Sequence, residues 1–248
     1  MTDNIRTHEA IVAAYNTLRA QPPWQHDRSA ILHHRVLPFA TYAPWLMDPD
    51  FLKLYEQIKN HTLVDIYRCH ELWSLAKQVG DVEGDVLEVG VWRGGTGAIL
   101  ASAVRDFPDK QVFLADTFKG VVKAGQQDTR YTGGEHSDTS RDIVSDLMET
   151  VSLGNTTLLQ GIFPDDTQHI VPSKIAMLHC DVDVYSSSKD IVDWCLPRLS
   201  VGAIMVFDDY GFFGCEGVTK LCNELRNTRG LRFMHNLNGH AVFVKFAN

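Results

Sequence analysis

Two apolar runs in this chain each end in acid. Ile175 to Leu178 leads into HCDVDVYSSSKD (179–190), and Ala203 to Phe207 leads into Asp208, Asp209 and Tyr210. Runs of this length and Ile/Val content read as buried strands of a parallel sheet. Carboxylates at the carboxyl ends of such strands lie at the edge where open α/β sheets bind ligands. Asp181, Asp183, Asp208 and Asp209 are therefore expected to converge on one site. Gathered carboxylates repel one another unless a cation or shared protons relieve them. An all-oxygen set suits a hard divalent ion such as magnesium, which leaves room for waters and a substrate oxygen.

The rest of the chain fits an α/β domain with an accessory part. Its 248 residues, 44% of them hydrophobic and 22% charged, are ample for a core. The balance of 23 basic against 31 acidic residues gives a net charge of −8, with no Lys/Arg cluster to track a phosphate backbone, so nucleic acid is not an expected partner. Early acids and the lack of a long apolar run argue against a signal peptide or membrane span, and a cytoplasmic location is expected. Cys69, Cys180, Cys195, Cys215 and Cys222 form no CxxC pair and read as packed, reduced thiols. No histidines form a HExxH pair, and most read as structural or exposed.

Helical spacing is expected from Asn4 to Gln21, stopped by Pro22-Pro23, and Trp24 to Leu46 reads as an irregular wrap. Asp48-Pro49 predicts a helix start, with helices over Asp50–Lys59 and Thr62–Val79. Residues 1–80 thus form an expected helical cap before a sheet domain of residues 81–248.

That domain opens with GDVLEVGVWRGGTG (84–97): a strand over Asp85–Val89, a glycine turn with Gly90 and Gly94, and a helix over Thr96–Arg105. A second strand, Gln111–Ala115, ends in Asp116, where a carboxylate can accept from a ribose diol. With Glu88 just before the turn, this pair of acids fits a phosphate-free nucleoside such as S-adenosylmethionine better than NAD. Thr117 to Thr139 is polar and aperiodic, as a functional lid over a ligand edge is. Ser140 reads as the cap of a helix to Thr150, and Thr156–Leu159 as a strand ending in Gln160 and Gly161, a place for contacts to a base ring. Ser186 or Ser187 is the candidate cap of a helix to Leu199, and Gly211 to Gly217 leads into another ending near Arg229. Leu231–His235 and Ala241–Phe246 read as a hairpin turned by Asn238-Gly239. A mostly parallel sheet closed by an antiparallel hairpin is the pattern of a class I methyltransferase with a Rossmann-like sheet.

As a set, HTLVDIYR (61–68), GDVLEVGVWRGG (84–95), ADTFKG (115–120), LLQGIFPDD (158–166), DVDVYSSSKD (181–190) and FDDYGFFGCEGV (207–218) resemble the macrocin O-methyltransferase family, bacterial metal-dependent enzymes that methylate sugar hydroxyls of natural products. The resemblance implies that Asp181, Asp208 and Asp209 hold magnesium and that Asp183 is the general base. It also implies that Glu88, Gly90 and Asp116 bind S-adenosylmethionine, with Thr62 and Leu63 near its methionine end, and that the protein is a homodimer or larger homo-oligomer. At the metal strand His179, Val182 and Ser186 stand where the family has Arg, Gly and Glu, while both acids are kept.

The expected reaction is therefore methyl transfer to a hydroxyl of a small molecule, a natural-product sugar or another vicinal diol such as a catechol. His136 and His179 are the alternatives for the base. An NAD-dependent oxidoreductase and a non-catalytic cofactor-binding relative remain open at this point.

Overall fold

The computed structural model describes residues 2–25, 31–34, 42–236 and 238–247, with side chains from residue 6 onward. Much of the expected Trp24–Leu46 wrap, 26–30 and 35–41, lies outside the described residues. In chain order the elements are α1 (Thr2–Arg19), β1 (Trp24–Gln25), β2 (Leu32–His33), α2 (Pro49–Ile58), α3 (Ile66–Gln78), β3 (Asp85–Val89), α4 (Gly95–Val104) and β4 (Val112–Asp116). There follow α5 (Arg141–Thr150), β5 (Thr156–Gln160), β6 (Ile175–Cys180), α6 (Tyr185–Cys195), β7 (Leu199–Phe207), α7 (Glu216–Leu225), β8 (Leu231–Met234) and β9 (Ala241–Lys245). No helix among the described residues is long and apolar enough to cross a membrane.

The main sheet runs β5-β4-β3-β6-β7-β9-β8. Its first five members are parallel, and β9 joins β7 antiparallel with β8 outside it. This is the class I methyltransferase sheet that the chain's pattern predicts. Strand order turns back on itself between β3 and β6, which leaves a crevice at the carboxyl ends of the strands.

Side chains alternate across the sheet. Val86, Leu114, Met177 and Val206 pack on one face under α2, α3, α4 and α5; Leu87, Leu178, Met205 and Phe207 pack on the other under α6 and α7. Helix α4, covered on all sides, is apolar nearly throughout. Residues ahead of the sheet share its core, because Phe51, Ile58 and Leu72 are fully buried against that first face. All five cysteines are buried and free.

Several boundaries differ from expectation for local reasons. Helix α3 starts at Ile66, not Thr62, because the Asp65 side chain accepts from the backbone N–H of Tyr67 and Arg68 and so acts as the cap. Neither Ser186 nor Ser187 caps α6. Ser187 Oγ donates to the Val122 carbonyl, and the free N–H of Tyr185 is taken by Asp128 Oδ1 at 2.9 Å. Ser140 does cap α5, accepting from the Ile143 N–H. The Asn238-Gly239 pair does not make a two-residue hairpin turn. The whole segment 235–240 joins β8 to β9, with Gly239 accepting from the Tyr210 N–H and the Asn236 and Asn238 amides turned to Glu71.

Candidate active site

A cavity of about 300 Å³ opens at the crevice between β3 and β6. Its walls come from the segments after β3, β4, β6 and β7, from the loop 61–64 before α3, and from the insert after β4. The glycine turn is built for close packing. A Cβ on Gly90, whose φ is +90°, would lie 1.7 Å from the Asp181 carbonyl oxygen, and one on Gly95 would lie 2.7 Å from that of His61. The Gly95 N–H donates to that same His61 carbonyl at 2.9 Å. The turn is thereby pinned to the loop ahead of α3, which brings Thr62 and Leu63 to the cavity wall.

Asp116 lines the cavity, and its own chain orients it. One carboxylate oxygen accepts from the Val91 and Trp92 N–H groups at 2.7 and 2.9 Å, the other from Phe118 N–H at 2.7 Å. A carboxylate has about four acceptor positions, so capacity remains for a ligand hydroxyl. Gly90 and Gly161 also reach the wall. Glu88, Gly94 and Gln160 do not. Glu88 is fully buried with Oε1 at 2.8 Å from His179 Nδ1, Gly94 packs toward Val144 as the N-cap of α4, and Gln160 is exposed.

The acids do converge. One oxygen each from Asp181, Asp208 and Asp209 lies within 4.8 Å of the others, at the ends of the adjacent strands β6 and β7. Burial, then the charges of Asp208 and Asp209, push the Asp181 carboxyl well above its usual range; burial and the charges of Asp208 and Asp183 do the same to Asp209. Among the described residues no side-chain donor reaches Asp181. Asp208 is opposite in character. Burial works against ionisation, but His179, His240 and Arg68 together hold its carboxyl far below the usual range. Its Oδ2 accepts from Arg68, and its Oδ1 from His240 Nε2 at 2.9 Å.

Asp183 completes the group with φ of +64°, a left-handed backbone conformation uncommon outside glycine and found disproportionately at functional sites. Its Oδ1 accepts from the Tyr131 hydroxyl at 2.7 Å, and its carboxyl is shifted upward, chiefly by burial. Of the alternative bases, His179 is wholly buried, whereas His136 lines the cavity with Nε2 3.5 Å from the Tyr131 hydroxyl.

Sequence reasoning missed five residues that build this site. Arg68 and Glu71 stand one turn apart on α3 and reach Asp208 and His240. Tyr131 and Asp128 belong to the insert and hold Asp183 and the start of α6. Only His240 left a readable trace. It precedes β9 in phase with Val242, and the β7–β9 register sets it across from Asp208. The insert is fastened further by Lys123, whose ammonium lies 2.8 Å from Asp165 and 2.7 Å from Asp190.

Residues 57–245 match the family model described as macrocin-O-methyltransferase (TylF). The chain belongs to the macrocin O-methyltransferase family. Among curated members, demethyldecarbamoylnovobiocin O-methyltransferase of Streptomyces niveus is 30% identical over 165 residues, 60% of this chain and 62% of that protein. Mycinamicin III 3''-O-methyltransferase of Micromonospora griseorubida is 28% identical over 186 residues, 69% of this chain and 72% of that one. A rhamnosyl-tetracenomycin-C 4'-O-methyltransferase of Streptomyces olivaceus is 27% identical over 169 residues, 63% of this chain. The chain spans 65% of that last protein, so these relatives are matched over roughly two thirds of their length. The fold is shared with the O-methyltransferase NovP (TM-score 0.66, 24% identity, 75% of this chain and 83% of that one). It is also shared with the calicheamicin methyltransferase CalS11 (TM-score 0.59, 17% identity, 84% and 95%).

Proposed function

We propose that this macrocin O-methyltransferase family member transfers a methyl group from S-adenosylmethionine to a hydroxyl of a small molecule, a sugar hydroxyl of a natural product, with magnesium as its metal. The observation that carries the reading is the gathering of Asp181, Asp208 and Asp209 oxygens within 4.8 Å, in the cavity that Asp183 and Asp116 also line. Two carboxyls, Asp181 and Asp209, driven above their range by desolvation and by the charge of neighbouring carboxylates make a donor set that a hard divalent ion fits, since the ion supplies the missing counter-charge. Bound there, magnesium would supply positive charge that favours ionisation of a nearby alcohol.

The chain's own residues would do the rest. Asp116 would accept from the ribose hydroxyls of the methyl donor, with Gly161 beside its base and Thr62 and Leu63 toward its methionine end. Glu88, Gly94 and Gln160 would act from outside the wall, the first two by shaping the turn. Asp183, half-buried and fixed by Tyr131, would take the proton of the acceptor hydroxyl; a carboxyl shifted upward is the better base near neutral pH. Methyl transfer from a sulfonium needs chiefly an in-line nucleophile at near-attack distance, which a closed pocket provides. The segment 1–80 would serve as the cap that contributes the loop 61–64 and Arg68, and the assembly would be a homodimer or larger. A relative named for methylating a rhamnosyl group supports a sugar acceptor.

The test is label transfer from methyl-labelled S-adenosylmethionine to a panel of glycosylated natural products, with magnesium, with chelator, and with magnesium restored. The reading expects label in a sugar hydroxyl that disappears with chelator and returns with magnesium. Transfer indifferent to chelator would remove the metal, and transfer to catechols alone would remove the sugar.

A further inference from the structure

Behind the carboxylate corner lies a second constellation. Asp208 Oδ1 faces two imidazoles, His240 Nε2 at 2.9 Å and His179 Nε2 at 3.8 Å, and all three side chains are buried. The donors come from the ends of the three adjacent strands β6, β7 and β9. Strand register and alternation set them on one sheet face, in phase with Met177, Val206 and Val242.

Each ring is backed by its own carboxylate. Glu88 Oε1 lies 2.8 Å from His179 Nδ1, and Glu71 Oε2 lies 2.6 Å from His240 Nδ1, with the Asn236 and Asn238 amides holding Glu71 in place. Both Nδ1 atoms are thus occupied and both Nε2 atoms are aimed inward. Metal-ligating histidines show this arrangement, the far nitrogen donating to a carboxylate that fixes the tautomer. The independent sign of a missing occupant is His179 Nε2, wholly buried and without a hydrogen-bond partner. At 3.8 Å it faces Asp208 across an ion-pair distance that is too long for a hydrogen bond.

We infer that His179 Nε2, His240 Nε2 and Asp208 Oδ1 form a binding site for a borderline transition-metal ion such as Zn²⁺, adjoining the all-oxygen corner and sharing Asp208 with it. Donors about 2.0–2.1 Å from a tetrahedral ion lie roughly 3.3 Å apart. The two separations from Asp208, 2.9 and 3.8 Å, straddle that value, and all three donors lie within 4.8 Å of one another. Two imidazoles and a carboxylate select zinc, cobalt or nickel over magnesium. The ion would lock β6, β7 and the β8–β9 connection to α3 through Glu71. Asp208 opens to the cavity, so the one open position of a three-ligand ion would face that side. The site stands whether or not the corner holds magnesium.

The test uses the full chain stripped by chelator and dialysed. Titration with Co²⁺ should give one equivalent with the strong visible bands of four-coordinate nitrogen–oxygen ligation, displaced by stoichiometric Zn²⁺ and not replaced by Mg²⁺, which lacks affinity for the two imidazoles. Zinc-edge X-ray absorption should show backscattering from two imidazoles. His179→Gln and His240→Gln should each weaken that equivalent by at least about tenfold. A wild-type chain that takes Co²⁺ only with the faint spectrum of six oxygens, or zinc without imidazole backscattering, overturns the site. So does unchanged affinity in both variants, and if either variant fails to fold the wild-type spectra decide alone.

Discussion

Gly90 shows how much one residue settles here. With φ at +90° and the Asp181 carbonyl 1.7 Å from where a Cβ would stand, its hydrogen side chain lets the turn after β3 touch the acid-bearing end of β6. Gly90→Ala is expected to lose about 2 kcal/mol or more, read as a lower urea midpoint; a change under about 0.5 kcal/mol would show that the strands can part. Asp183→Asn keeps the shape and removes the proposed base, so turnover should fall about 10²- to 10⁴-fold with cofactor affinity unchanged. Turnover within a few-fold of wild type would free Asp183 of that role. The acids were legible because each ends a strand or follows its end, and Asp116, Asp181, Asp183, Asp208 and Asp209 all line the cavity. Glu88 was not, since its turn toward His179 follows from the pairing of β3 with β6, which no local spacing encodes.

At the scale of elements, the insert after β4 is an organiser of its neighbours. Asp128 accepts from the Tyr185 N–H at the start of α6 and from its own Gly125 N–H, and Tyr131 reaches Asp183. Asp128→Ala removes the cap of α6 and a fastening of the insert together. It is expected to lower stability by about 1 kcal/mol and raise the acceptor KM more than it lowers kcat, measured by thermal unfolding and steady-state kinetics. An unchanged KM would show that the insert's position does not matter to the acceptor. The sequence pattern carried the strands well, because apolar runs and glycines mark them. It failed on the α6 cap and on the last turn for one reason: in both, the backbone group is satisfied by a side chain distant in sequence, or turns its own side chains to a distant one, as Asn238 does to Glu71.

For the whole molecule, the buried charges set a pH dependence. Asp181 and Asp209 have folded-state carboxyls raised above the unfolded value, so their contribution to stability is present in acid and is lost as pH rises through the raised values. Asp208 is depressed, so its contribution holds above the unfolded value and fades only in strong acid. The metal-free chain should therefore gain more in Tm from magnesium at about pH 8 than at about pH 6, by differential scanning at equal ionic strength. An equal gain at both would mean that magnesium does not meet these acids. The class I sheet was readable from order and punctuation alone, whereas the approach of Arg68 and Glu71 behind it depended on α3 crossing the sheet face, a matter of tertiary packing.

The measurement that bears most directly on the account is calorimetric titration of magnesium into the chain loaded with S-adenosylhomocysteine, run on wild type and on Asp209→Asn. The account predicts a single magnesium site in the wild type, its affinity reduced at least about tenfold in the variant while the nucleoside still binds. Magnesium heats identical in the two proteins, or a wild type that binds neither nucleoside nor ion, would contradict it.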